Sequence, residues 1–87
     1  MAQIDFENLT TDWVAFTDIT TPADDTDYFI QNRGPDNLLA VESASEPSSL
    51  DGVLVQPYKT LVYKKGTDTL YLRAYSSNCA INISSEG

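Results

Sequence analysis

Thr69-Leu70-Tyr71-Leu72-Arg73-Ala74-Tyr75 alternates without a break. Leu70, Leu72 and Ala74 fall on one side of an extended chain, and Tyr71, Arg73 and Tyr75 on the other. That period of two is the mark of a strand with one face in a core. The same rhythm recurs on both sides of this run. Residues 13–19 read as a strand with Val14 and Phe16 on one face. Residues 27–32 carry Tyr28 and Ile30 together, and 38–43 form the next strand with Leu39 and Val41 inward. Residues 53–56 bring Val53 and Val55 inward, with Pro57 marking an edge or a strand end. In the last strand Cys79, Ile81 and Ile83 share a face. Residues 59–64 and 69–75 flank Lys65-Gly66-Thr67-Asp68, the clearest hairpin signal in the chain.

Turn residues punctuate these runs at short intervals. Arg33-Gly34-Pro35-Asp36-Asn37 is one turn cluster, and 44–51 is a polar loop containing Pro47. Ile4 and Phe6 alternate with Asp5 and Glu7, so residues 1–10 read as an arm or an edge strand. No helical period, linker or repeat stands out. The expectation is a single all-β domain over 1–87. It is a compact antiparallel β-sandwich or barrel of about seven strands, without significant helix. The remaining inward positions are Leu61, Leu70 and Leu72. Cys79 fits as a small apolar core residue, since a reactive thiol wants exposure and a nearby cation.

Composition narrows the chemistry. Eighty-seven residues give a small core, and small domains often add disulfides, metals or oligomerisation. A single cysteine forbids an internal disulfide, and the chain has no histidine. That removes Ser–His and Cys–His arrangements and the commonest metal ligand. No Gly-rich phosphate loop is present, and no carboxylate pair is singled out. The expectation is a non-enzyme without cofactor or metal. Asp24-Asp25-Thr26-Asp27 is the one metal-like cluster, and its spacing fails the calcium-loop pattern, so it reads as a solvated acidic turn. Oligomerisation remains as the stabilising device.

The net charge of -8 comes from 13 acids and 5 bases and argues against nucleic acid and anionic membranes as partners. The charge is lopsided. Residues 1–51 hold eleven acids and one base, a net -10; residues 52–87 hold two acids and four bases, a net +2. A solvated acidic surface explains this, and so does a domain whose copies meet head to tail. The N-terminal segment has no basic region followed by an apolar run, which sets the expectation of a protein kept in a cytoplasm or released by lysis. Aromatics and arginine are enriched where proteins meet. Tyr71, Arg73 and Tyr75, with Tyr58 and Tyr63 near them in sequence, are therefore the candidate subunit interface.

From about Trp13 to the end, the order of motifs resembles small β-structured virion proteins of tailed bacteriophages. The matching segments are Asp12-Trp13-Val14, Tyr28-Phe29-Ile30-Gln31-Asn32 and Leu38-Leu39-Ala40-Val41. A polar loop with Pro47 follows, then Gly52-Val53-Leu54-Val55-Gln56-Pro57 and Lys65-Gly66-Thr67-Asp68-Thr69-Leu70-Tyr71-Leu72-Arg73-Ala74. The resemblance implies a structural role in the virion, as a capsid decoration or cementing protein or a tail accessory. Its implied partners are its own copies, with trimers as one arrangement, and other virion proteins such as the major capsid protein. Two other roles fit the same features: a receptor- or carbohydrate-binding module at a tail or fibre, and a small acidic intracellular inhibitor of a host protein.

Overall fold

The computed structural model describes residues 3–21, 26–48, 50 and 52–85. Eight strands lie among them: β1 (Gln3–Leu9), β2 (Val14–Ala15), β3 (Asp27–Pro35), β4 (Leu38–Ser43), β5 (Val53–Val55), β6 (Thr60–Lys64), β7 (Thr69–Ala74) and β8 (Cys79–Ser85). A single helical turn, α1 (Phe16–Ile19), follows β2. The strands form two four-stranded sheets, ordered β1-β8-β3-β6 and β2-β7-β4-β5. Every pairing is antiparallel. The all-β sandwich expected from the alternation is therefore the fold. It has one strand more than expected, because residues 3–9 pair with β8 as an edge strand.

The inward faces carry the core. Tyr28 and Ile30 of β3, Cys79, Ile81 and Ile83 of β8, and Leu70, Leu72 and Ala74 of β7 are all buried. Ile4 and Phe6 of β1 pack against them, half-buried. At the centre Phe16 meets the rings of Tyr28 and Tyr63 edge-on, each at 5.3 Å between centroids. Burying a phenyl ring contributes about 2–3 kcal/mol, and each edge-to-face pair about 0.5–1.5 kcal/mol more. Cys79 lies within this core; burial first and the Asp36 charge second push its thiol up to about 11.

Five expectations need correction. Residues 13–19 are not one strand: after Ala15 the chain makes a turn closed by the Thr20 N–H donating to the Phe16 carbonyl at 3.0 Å. The turn drops Phe16 between the sheets while Thr17 and Asp18 stay in water. Residues 59–64 and 69–75 do not form a hairpin. β6 lies in one sheet and β7 in the other, so 65–68 arches over the core. The buried side chains of the two runs, Tyr63 and Leu70 among them, thus line opposite walls of one core. In β4 the phase is shifted by one: Leu38 and Ala40 face the core, and Leu39 is buried on the outer side. Val55 faces inward as expected, but Val53, at the far end of a three-residue edge strand, is 56% exposed. The turn cluster also shrinks, because β3 continues through Pro35. Asp24 and Asp25 lie outside the described residues. Among the described residues no three His, Cys, Asp or Glu side chains are placed to share a metal ion. No described helix is long and apolar enough to cross a membrane.

The sheets are laced together by polar contacts at one corner. Asn32 is wholly buried. Its Nδ2 donates to the Val55 carbonyl and to the Asp36 carbonyl, both at 2.8 Å, and its Oδ1 accepts the Gly34 N–H at 2.7 Å. Asp36 then caps the β7–β8 connection. Its Oδ2 accepts the Ser76 and Ser77 N–H groups at 2.6 and 2.8 Å, and Oδ1 accepts the Asn37 N–H at 2.8 Å. Desolvation pushes the Asp36 carboxyl up, but the N–H donors of Ser76, Ser77 and Asn37 outweigh it and hold the pKa below 3.8.

Two outcomes are expected. Asn32→Ala strands the Val55 carbonyl, the half-buried Asp36 carbonyl and the Gly34 N–H, and should cost about 3 kcal/mol, read by urea denaturation. Because Asp36 has a lowered folded pKa, its contribution is present above the ordinary carboxylate range and is lost as pH falls through the folded pKa. Asp36→Asn should therefore lower the melting temperature at neutral pH, and its deficit against the wild type should shrink below pH 3.8.

Candidate binding surfaces

Register on the outer side of the sheet β2-β7-β4-β5 sets out two rows of side chains. Ala15 lies opposite Tyr71, and Tyr71 opposite Val41. Arg73 lies opposite Leu39, and Leu39 opposite Leu54. Trp13, one residue before β2, extends the second row: the Arg73 guanidinium carbon sits 5.6 Å from the centroid of its ring. That is cation–π distance. Arg73 is held back along its own strand, with Nε donating to the Ala74 carbonyl at 2.9 Å and Nη2 to the Tyr75 carbonyl at 3.1 Å.

Above this row is an open groove of about 560 Å³. Thr11, Asp12 and Trp13 line it, with Glu46, Pro47, Ser48 and Leu50 of the β4–β5 loop and Arg73 of β7. Its charged groups are two carboxylates and one guanidinium. An indole, an arginine and an exposed leucine lie here beside two exposed carboxylates. Aromatic residues and arginine are the types enriched where proteins meet.

The five residues expected to form one interface are divided among three places. Tyr71, Arg73 and Tyr75 follow the expected stripe: Tyr71 and Arg73 are half-buried on the outer face, and Tyr75 is exposed at its end. Tyr63 is 5% exposed and belongs to the core, because Leu61 and Tyr63 are the inward positions of β6. Burial first and the Glu42 carboxylate second raise its phenol above 10.0. Tyr58 sits against the other sheet, beside a shallow hollow lined by Asp5, Arg33, Ala80 and Ile81. Trp13 and Leu50 were missed. Position 13 has the opposite parity to Val14, so its outward direction was legible. Leu50 stands in an irregular loop, where no period exists to read.

No known protein family, curated protein or solved structure matches this chain.

Tyr58 has a backbone peculiarity of its own. The Lys59 N–H donates to the Gln56 carbonyl at 3.1 Å, closing a turn with Pro57 and Tyr58 at its centre. Tyr58 takes φ +67, the left-handed region that glycine occupies without cost. Its side chain is 69% exposed, so little packing offsets the strain. Tyr58→Gly should therefore stabilise the fold by about 0.5–1 kcal/mol, seen as a higher midpoint in denaturant.

Proposed function

We propose that this protein is a non-catalytic structural component of a bacteriophage virion, which decorates or stabilises the capsid by gripping a neighbouring virion protein. The observation that carries the binding role is the Trp13–Arg73 pair on the outer sheet face. Tryptophan, tyrosine and arginine dominate the energetics of protein contacts. Here Trp13 and Arg73 are pre-positioned by a sheet and by hydrogen bonds to the end of β7, so little side-chain entropy is lost on docking. The partner gains a desolvated aromatic surface at the centre and charge selection at the rim from Asp12 and Glu46. The order of sequence motifs from Trp13 onward supports the virion setting.

A second reading places a glycan in the same groove. It is favoured by the carboxylates of Asp12 and Glu46 and the hydroxyls of Thr11 and Ser48 around the indole. A glycan array separates the two, since a protein-gripping surface should leave it blank.

Mass spectrometry of purified particles should find the chain in stoichiometric amounts; its absence from them overturns the virion role. Particles lacking the chain should rebind it when it is added back. Trp13→Ala and Arg73→Ala should each weaken rebinding by at least about tenfold, with the strand signature in circular dichroism unchanged.

A further inference from the structure

The sheet β1-β8-β3-β6 ends in two open edges of unlike character. In the other sheet the edge strands have two and three residues, too short to template a long pairing. In this sheet the edges have seven and five. β1 reads QIDFENL, and its charged residues are all acids. Asp5 is exposed, and its Oδ1 accepts the Asn82 Nδ2–H at 2.6 Å, which leaves its charge intact. β6 reads TLVYK and follows Lys59; Lys59 and Lys64 are exposed, and no acid lies between them. Two β1 edges brought together would set acid against acid, and two β6 edges base against base. Only the unlike pairing, β1 of one copy along β6 of the next, sets acid against base.

Apolar surface coincides with this pairing. Val62 of β6 is 58% exposed, and Val53 stands exposed across the adjacent seam between the sheets. The seam holds a cavity of about 170 Å³ lined by Leu61, Val62 and Tyr63 with Gly52, Val53 and Glu42, an acid of β4 on the seam side of the basic edge. On the other edge Ile4 and Phe6 of β1 are only half-buried by their own core. A β1 strand laid along β6 would prolong the sheet and continue both the apolar inner row and the charged outer row.

We propose that copies of this chain join head to tail, the acidic β1 edge of one pairing with the basic β6 edge of the next. Such a contact is heterologous, so it closes into a ring or runs on as a filament. It uses the sheet edges and leaves the Trp13–Arg73 face free, and it stands apart from the virion reading.

The test is sedimentation velocity over a wide concentration range on the wild type, Asp5→Lys, Lys64→Glu and the double variant. The wild type should associate at low salt and less so at high salt. Each single reversal should weaken association by about tenfold, and the double variant should recover most of it because unlike edges are restored. Lys64 lies opposite Asp27 within its own sheet, so Lys64→Glu also disturbs the monomer. Asp5→Lys also removes the bond that Asn82 donates, so Asp5→Asn, which keeps an amide oxygen to accept it, should weaken association through the lost charge alone. A wild type that stays monomeric throughout overturns the proposal. So does association that the reversals leave unchanged, or a double variant no better than the singles. Particles that lack the protein would remove the virion reading and leave these outcomes unaffected.

Discussion

Between the two sheets, at the corner where β3 leaves its regular ladder, the Asn32 amide is wholly buried. One Nδ2 proton reaches β5 in the opposite sheet, and the other reaches the Asp36 carbonyl. The main chain of the same residue donates to the Lys59 carbonyl at 3.0 Å and accepts the Tyr58 N–H at 2.6 Å. A buried amide with this many partners is costly to misplace, because each displaced bond leaves a polar group without water. The corner therefore has one low-energy arrangement. From it Asp36 is aimed at Ser76 and Ser77, and the Asn37 carbonyl accepts the Tyr75 N–H at 2.9 Å. Those contacts fix the end of β7, and the end of β7 holds the Arg73 guanidinium. The geometry at the end of β7 thus depends on one buried asparagine more than 20 residues before the strand it touches, β5.

How much of this was legible depends on whether a local period carried the information. β7, β8 and the start of β3 have one wet or lightly covered side, and their alternation gave the correct inward faces. β4 reads Leu38-Leu39-Ala40-Val41, four apolar residues in a row, and a run without alternation has no phase. Leu39 is buried between Arg73 and Leu54 in its row, so β4 is apolar on both sides for a physical reason. The false hairpin has a different cause. A four-residue glycine-containing link suits a hairpin and an arch between sheets equally well. What selects the arch is the burial of Tyr63 against Phe16, a contact 47 positions apart that no local pattern contains.

The expected interface residues divide along the same line. The stripe on β7 was read from parity, and parity holds within a strand. Tyr58 and Tyr63 are near the stripe in sequence, and nearness in sequence says nothing about which wall of a sandwich a residue joins. Tyr63 went to the core by its own parity with Leu61, while Tyr58 was carried to the opposite sheet by the turn at Pro57. Trp13 reached the stripe from the far end of the chain, because β2 pairs with β7 and not with β1.

The uneven charge of the chain follows from the same topology. A division of -10 and +2 along the sequence would give two oppositely charged lobes if each half formed its own sheet. Neither half does. β1 and β3 from the acidic half alternate with β8 and β6 from the basic half in one sheet, and β2 and β4 alternate likewise with β7 and β5 in the other. Interleaving cancels much of the difference within the sheets and leaves it where strands have no second neighbour. In the longer-edged sheet the acidic β1 and the basic β6 are those positions. Charged edges of one sign are a general defence against indiscriminate sheet-to-sheet pairing. Two edges of opposite sign retain that defence against like edges while leaving a single complementary approach open. The charge pattern therefore acts through strand order, and the order is set by which apolar faces must be buried together.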